Sequence, residues 1–455
     1  MSRERILAGF DVGTSSLKVT LADVDTGMIK DDRNYSYLGF HELAPGVVPV
    51  SVYEDTIRHA LGEICYDYDL MGMALTTQMY SICGKVGGKL FSYQWNSLWD
   101  RMPEIESKIY AFLMKSGCQV DTLFPGYKLA TLPDHVREEF VPYGLKEHLI
   151  QFLTGRLVTD YTTASASGVF DVERRIWNKE FVQFLGMDEA KLPDTAPHDE
   201  VIGMIRTSLS SDIKSPIPLV PGLGDGPSAS LSCRQISNYC GNLGTSMAAR
   251  VFTQVPGHPH EHGLWNFAVD KNTHVVGGIS SNSCSVLHWA GDMGISIEKD
   301  LPNTKEVMFF PWVHGERMPF WSSDLRGTFI GLRKDDSPKV LQGAVIKAIA
   351  FTFVRMAKVL EAYVEEGKPL VLAGGGTNVN SILNIIASCL GTDIVMLENA
   401  EYLCSTGALM SAGKGTGINV FPEFKVDSIL SHSDENVEEF GRWAMMADRV
   451  ATIYR

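Results

Sequence analysis

The apolar run Ile6-Leu7-Ala8-Gly9-Phe10 reads as a buried strand, and Leu17-Lys18-Val19-Thr20-Leu21-Ala22 alternates like a second strand paired with it across a hairpin turn. Asp25-Thr26-Gly27 then turns the chain into a third strand. Helical spacing of Val52, Ile57, Ala60, Leu61 and Ile64 predicts a helix over 52–65, and Leu70-Met71-Gly72-Met73-Ala74-Leu75 predicts a buried strand that ends in Thr76-Thr77-Gln78-Met79-Tyr80-Ser81. Residues 145–153 read as a helix stopped by Thr154-Gly155. The strand-turn-strand pattern returns around Gly244, with a third strand over 273–279 and a helix over 282–290. Val345, Ile349, Phe353, Met356, Leu360 and Val364 recur every three or four residues, which predicts a long amphipathic helix ending before Gly367. Pro369-Leu370-Val371-Leu372-Ala373 is a buried strand leading through Gly374-Gly375-Gly376-Thr377-Asn378 into a helix with Ile382, Ile385, Ile386 and Leu390. Cys404 to Leu409 begins a packing helix to which no chemistry is assigned, and 436–453 is a closing helix.

Length turns this pattern into domains. A chain of 455 residues exceeds what one hydrophobic core supports. Pro216, Pro218 and Pro221 mark the expected boundary, giving domains 1–221 and 222–455. With 45% hydrophobic and 21% charged residues the composition is that of a soluble globular protein. The most apolar helical stretch is soon interrupted by Arg355 and Lys358, so no membrane span is expected. Met1-Ser2-Arg3-Glu4-Arg5 runs into a strand without the apolar core of a signal peptide, which points to the cytoplasm. A net charge of −14 argues against a nucleic-acid partner, because phosphate-backbone binding is driven by clustered Lys and Arg. The eight cysteines show no Cys-x-x-Cys pair and are expected to be reduced, mostly buried thiols.

The first hairpin turn is where chemistry enters. Gly13-Thr14-Ser15-Ser16 offers backbone N–H groups, hydroxyls and a residue without Cβ, so phosphate oxygens can approach the chain closely. Lys18 adds a positive charge from the next strand. Asp11 would then face phosphate, where a carboxylate makes sense with a divalent cation between. An ordinary hairpin is the competing reading. A second Gly-Thr-Ser at Gly244-Thr245-Ser246 favours the phosphate grip and suggests a duplicated domain holding one nucleotide between its halves. Gln78 and Tyr80, just past a strand end, are candidates for a polyhydroxy ligand. Trp95, Trp99, Asp100 and Arg101 form an aromatic and charged cluster suited to a sugar, or else a core tryptophan pair beside a surface ion pair. Asp160 is either another hydroxyl acceptor or the N-cap of a helix over 162–167. Asp225, between glycines at the head of a helix, is placed for a general base and could also cap that helix. The glycine triplet 374–376 lets a flat ring or a phosphate lie directly on backbone.

Taken in order, these motifs resemble the FGGY carbohydrate kinases, the family of glycerol, xylulose, ribulose and gluconate kinases. The resemblance runs from Ile6 to about Gly413 and rests on Asp11-Val12-Gly13-Thr14-Ser15, Gln78-Met79-Tyr80, Trp99-Asp100-Arg101, Gly224-Asp225-Gly226, Gly244-Thr245-Ser246, Gly315-Glu316-Arg317 with Arg326-Gly327, and Gly374-Gly375-Gly376. It implies an α/β fold of two actin-like (ribonuclease H-like) domains with a central cleft, and an ATP- and Mg²⁺-dependent phosphotransferase acting on a sugar, sugar acid or polyol. By the same resemblance Asp225 matches the catalytic base, and Asp11 the acid near magnesium, reached through water. Gly13, Thr14, Ser15 and Lys18 match the first phosphate grip, Gly244 and Thr245 the second, and Gly375 and Asn380 the adenine and ribose positions. Gln78, Met79, Tyr80, Trp99, Asp100 and Asp160 match sugar positions.

One departure bears on the substrate: kinases of the xylulose and gluconate type usually carry His where this chain has Tyr80. Lys146-Glu147-His148, residues 164–170 and Gly315-Glu316-Arg317-Met318-Pro319 look most like gluconate kinases, which favours that class over a ketose kinase such as xylulose or ribulose kinase. Two other classes compete: an actin-like chaperone or filament ATPase, and a sugar sensor that binds ATP without catalysis. The expected partner is a small molecule, with no nucleic acid and no membrane; a homodimer is compatible with the sequence.

Overall fold

The first apolar run is continuous because its strand is covered on both faces. In the computed structural model, which describes residues 3–94, 102–257, 262–295, 306–431 and 436–454, β1 (Arg5–Val12) is buried from Ile6 onward. It pairs antiparallel with β2 (Ser16–Asp23), and β2 with β3 (Ile29–Ser36). On its other side β1 runs parallel to β4 (Asp69–Thr77), and β5 (Gly203–Ile205) and β6 (Ile217–Val220) complete a six-stranded sheet in the order β5-β6-β4-β1-β2-β3.

Alternate residues of β1 serve different faces. Ile6, Ala8 and Phe10 join the helices Val50–Asp67 and Leu145–Thr154 in one apolar cluster, whereas Leu7 packs with Leu409 of the helix Leu403–Thr416. The Leu403–Thr416 helix lies so close to the strand that a Cβ on Gly9 would fall 2.0 Å from the Ser405 carbonyl oxygen. Only glycine fits there.

Contacts divide the chain into two compact units: Met1–Ser232 with Asn266–Val275 and Tyr402–Glu423, and Cys233–Trp265 with Val276–Glu401 and Phe424–Arg455. Asp225 and its helix as far as Ser232 therefore belong to the first unit, where a division at 221/222 would have put them in the second. The physical reason lies in Leu403–Thr416, to which Ser228 Oγ donates at the Cys404 carbonyl (2.8 Å) and Ser232 Oγ at the Leu403 carbonyl (2.6 Å).

The second unit repeats the pattern of the first. Strands β7 (Tyr239–Leu243) and β8 (Met247–Thr253) form an antiparallel hairpin. With β9 (His274–Ser280), β10 (Leu370–Ala373), β11 (Ile394–Leu397) and β12 (Val426–Leu430) they stand in the order β9-β8-β7-β10-β11-β12, with β7, β10 and β11 parallel. A hairpin with a further strand on one side and parallel neighbours on the other is the arrangement β3-β2-β1-β4-β6 again.

The long helix runs from Pro338 to Leu360, starting earlier than the apolar spacing suggested because proline suits the first helical turn, and a 3₁₀ turn, Glu361–Tyr363, ends it. By length and composition it could cross a membrane, yet Val345, Ile349, Phe353, Met356 and Leu360 are buried in the second unit's core. None of the eight cysteines is in a disulfide.

Candidate functional site

Asp11 sits at the C-terminal end of β1, opposite Lys18 in the β1–β2 register. The turn between them closes through Gly13 N donating to the Ser16 carbonyl at 3.1 Å. Tyr37 braces it, its hydroxyl donating to the Gly13 and Ser16 carbonyls. Thr14 and Ser15 are exposed on its tip.

Asp11 itself is only 7% exposed, and its Oδ1 has no hydrogen-bond partner. Burial, then the neighbouring charge of Asp225, raise the Asp11 carboxyl to about 7, opposed by Lys18. A buried, unpartnered carboxylate oxygen beside a second carboxylate fits a divalent cation. Mg²⁺ is held by one or two carboxylates and completes its shell with water and phosphate. Among the described residues there is no group of three His, Cys, Asp or Glu that could hold a metal ion.

Asp225 opens its helix, with Oδ1 accepting from Gly226 N at 2.7 Å and its carbonyl from Cys404 Sγ at 3.4 Å. The segment 78–80 lies next to it. Gln78 N donates to the Val12 carbonyl (3.1 Å), and a Cβ on Gly224 would fall 2.6 Å from Met79 Sδ. Gln78 Nε2 reaches the Tyr53 hydroxyl at 3.4 Å. Tyr80 has φ +69°, its carbonyl accepts from buried Lys128 Nζ at 3.0 Å, and its ring stands edge-on to Phe124. Gln78, Met79 and Tyr80 line one cavity with Thr163, Ser167 and Trp177. The first unit thus gathers Asp11, the 13–15 turn, Lys18, residues 78–80 and Asp225.

Asp160 is fully buried, and both its oxygens are engaged. Oδ1 accepts from Thr162 N (2.8 Å), Thr163 N (3.2 Å) and the Thr162 hydroxyl; Oδ2 accepts from Lys146 Nζ (2.6 Å) and Thr163 Oγ1 (2.5 Å). Of its two readings the structure supports the cap, on the helix Tyr161–Ala166. Trp95, Trp99, Asp100 and Arg101 lie outside the described residues.

The second unit carries the other turn. Gly244 N donates to the Ser246 carbonyl at 2.9 Å, and the turn's carbonyls at Gly244 and Thr245 accept from Cys284 N (3.0 Å) and Ser285 N (3.3 Å). Gly374 has φ +100°, and a Cβ there would fall 2.6 Å from the Leu243 carbonyl oxygen, so the glycine triplet presses on the end of β7. Gly375 is exposed with open space over its α-carbon, and exposed Asn380 starts the helix Asn380–Leu390. Gly244, Thr245, Gly375 and Asn380 therefore belong to the C-terminal ends of β7 and β10 or the segments that follow them.

Sequence reasoning named Lys146 only within the run Lys146-Glu147-His148 and missed its role; the side chain is 1% exposed. Its Nζ donates to Asp160 and also to the carbonyls of Gly222 (3.1 Å) and Leu223 (2.8 Å). A signal was present: a lysine in the first turn of a helix opposes the helix dipole, so something else must hold it there.

Comparison with known proteins gives the following. Residues 92–232 match the family model for the FGGY family of carbohydrate kinases, N-terminal domain, and 242–415 match that for its C-terminal domain. The chain is 23% identical over 448 residues to a xylulose kinase of Lactococcus lactis, covering 90% of this chain and 88% of the relative. It is 22% identical over 351 residues to a gluconokinase of Bacillus subtilis, covering 70% and 66%. Among solved structures, a gluconate kinase from Lactobacillus acidophilus superposes with a TM-score of 0.83 at 21% identity, covering 99% of both chains.

Proposed function

The chain belongs to the FGGY family of carbohydrate kinases, and from that membership we propose that Asp225 is the base of a transfer of the γ-phosphoryl group of ATP to a hydroxyl of a small sugar, sugar acid or polyol. The observation that carries the reading is the pair of carboxylates in the first unit, Asp225 at its helix head and Asp11 with an unpartnered buried oxygen. Asp225 accepts the proton of the acceptor hydroxyl as that oxygen attacks phosphorus in line. Lys18 and the N–H groups of Thr14, Ser15 and Thr245, in the turns that Gly13 and Gly244 open, stabilise charge on the phosphate oxygens. Mg²⁺, held through water by Asp11, would supply further neutralisation of the phosphate charge. Gly375 and Asn380 hold adenine and ribose. Gln78, Met79 and Tyr80 bind the acceptor; Asp160, sealed behind Lys146 and its threonines, acts through structure instead.

Sugar acids of the gluconate type are the favoured acceptors, with ketoses the alternative; the relatives carry both names, gluconokinase and xylulose kinase. The cytoplasm, where ATP is supplied, is the proposed compartment. The test is ADP release with Mg-ATP across a panel of polyols, ketoses, aldoses and sugar acids, with Asp225→Asn as the blank. One acceptor standing far above the blank supports the reading and names the substrate class. Equal turnover by Asp225→Asn would overturn the assignment of the base.

A further inference from the structure

We propose that Lys146, working with Asp160 and Thr162, is the positioning residue that fixes Asp225 for proton transfer; the inference rests on the reading of Asp225 as the base. Between β6 and the helix Asp225–Cys233 the chain passes through residues 221–224, and four polar groups of its backbone, on residues 222 to 224, are pinned from outside the loop. Gly222 N donates to the His198 carbonyl at 3.0 Å. The Gly222 and Leu223 carbonyls accept from Lys146 Nζ at 3.1 and 2.8 Å. Gly224 N donates to Thr162 Oγ1 at 2.9 Å. The next residue is Asp225.

The chemistry of the anchor suits a positional role. An ammonium has three N–H donors, and Lys146 directs them at three acceptors, Asp160 Oδ2 and the two carbonyls. Thr162 Oγ1 accepts from Gly224 N while its own proton goes to Asp160 Oδ1, so both arms of the clamp converge on one carboxylate. The arrangement is 1% exposed at Lys146 and 0% at Asp160, where charge-assisted hydrogen bonds are strong and directional. The loop has little freedom of its own to compensate. Gly222 has φ +64°, and a Cβ on it would fall 2.6 Å from the Leu75 carbonyl oxygen, while Gly224 abuts Met79. A displaced clamp therefore moves Asp225 relative to segment 78–80 and to Asp11. None of the clamp's polar atoms needs to touch substrate for this to matter.

The test uses the full chain and two independent changes. Thr162→Val keeps the shape and removes the hydroxyl that holds Gly224 N; Lys146→Met with Asp160→Asn removes the ion pair without leaving a lone buried charge. Turnover is measured with Mg-ATP and whichever of D-gluconate, D-xylulose and glycerol the wild type uses fastest, and amide exchange is followed in the peptide spanning 221–226. Both variants are expected to lose about 10- to 100-fold in kcat, as misplacement of a reacting group does, with KM for acceptor and ATP within about twofold. Exchange in 221–226 rises, and Thr162→Ser restores both readouts. A folded Thr162→Val with wild-type kcat and wild-type exchange in that peptide would overturn the inference. Asp225→Asn, run alongside, separates the two failures: if it turns over normally the reading of the base falls, and if it is inactive while the clamp variants work, only the clamp falls.

Discussion

Lys146 Nζ lies 2.6 Å from Asp160 Oδ2 with both side chains shut away from solvent. Burial alone would push the Asp160 carboxyl up; the Lys146 ammonium and the hydroxyls of Thr162 and Thr163 more than reverse this and hold it below the usual carboxylate range. Burial likewise pulls the Lys146 ammonium down, and Asp160 is the chief influence opposing it. Neither charge is tolerable there without the other.

Removal of one partner is therefore expected to cost more than removal of both. Lys146→Met leaves a buried carboxylate unpaired, a change that typically costs about 3–5 kcal/mol. Adding Asp160→Asn, which can still cap the helix, should recover a large part of that loss. The measurement is a double-mutant cycle by urea unfolding. Additive losses would mean the two charges do not sense each other.

The close approach of two helices gives a second expectation. A Cβ on Gly407 would stand 1.9 Å from the Ser228 carbonyl oxygen, in the first turn of the helix that Asp225 begins. Gly407→Ala must part these helices, at about 1–3 kcal/mol or more for overpacking, and should lower kcat as well as the melting temperature. Gly441 is the control. It lies within the helix Val437–Ala451 with nothing near its α-carbon, so Gly441→Ala should gain roughly 0.5–1 kcal/mol. Thermal melts of the two variants should move in opposite directions.

These contacts show what a sequence can and cannot carry. The hairpins at Gly13 and Gly244 were legible because strand alternation and turn chemistry are local, and both strands of each hairpin formed. The role of Lys146 was not, because its partner Gly222 is 76 residues away in the chain. Asp160 could be read two ways until Lys146 and the threonines were seen around it. Nor did the apolar start of the helix at Cys404 reveal that its carbonyls receive Ser228 and Ser232 and so secure the Asp225 helix to the first sheet. Local pattern gives elements, and the contacts between distant segments decide which element steadies the chemistry.

Glu316 supplies a pH dependence. Burial raises its carboxyl to about 7, against the hydrogen bonds from Ser280, Asn282 and the Arg317 amide. The native state then binds this proton more tightly than the unfolded chain. Stability from this group is fully present below the unfolded value near 4.5 and is lost as pH rises toward 7. A shift of this size corresponds to about 3 kcal/mol between pH 4 and pH 8. Glu316→Gln, which mimics the protonated group, should flatten the fall in melting temperature across pH 5–8. An unchanged slope would show that Glu316 is not the group responsible.

Tyr80 offers the sharpest question about the acceptor. Its φ of +69° is a left-handed conformation that few non-glycine residues adopt readily, and histidine tolerates it better than tyrosine. The backbone is held there by Lys128 Nζ on the Tyr80 carbonyl at 3.0 Å, a bond that does not depend on the side chain. Tyr80→His should therefore fold with an unchanged or slightly higher melting temperature. What changes is the cavity wall shared with Gln78 and Met79: the phenol edge against Phe124 is replaced by a smaller ring with a donor and an acceptor. A site that gains or loses one hydrogen bond to a substrate hydroxyl changes preference steeply, so the ratio of kcat/KM between the two best acceptors should shift by about tenfold or more. The measurement is the same acceptor panel run on wild type and Tyr80→His. If every acceptor keeps its rank and its kcat/KM within about twofold, the Tyr80 side chain does not read the acceptor, and the departure from the family's histidine has no bearing on substrate choice.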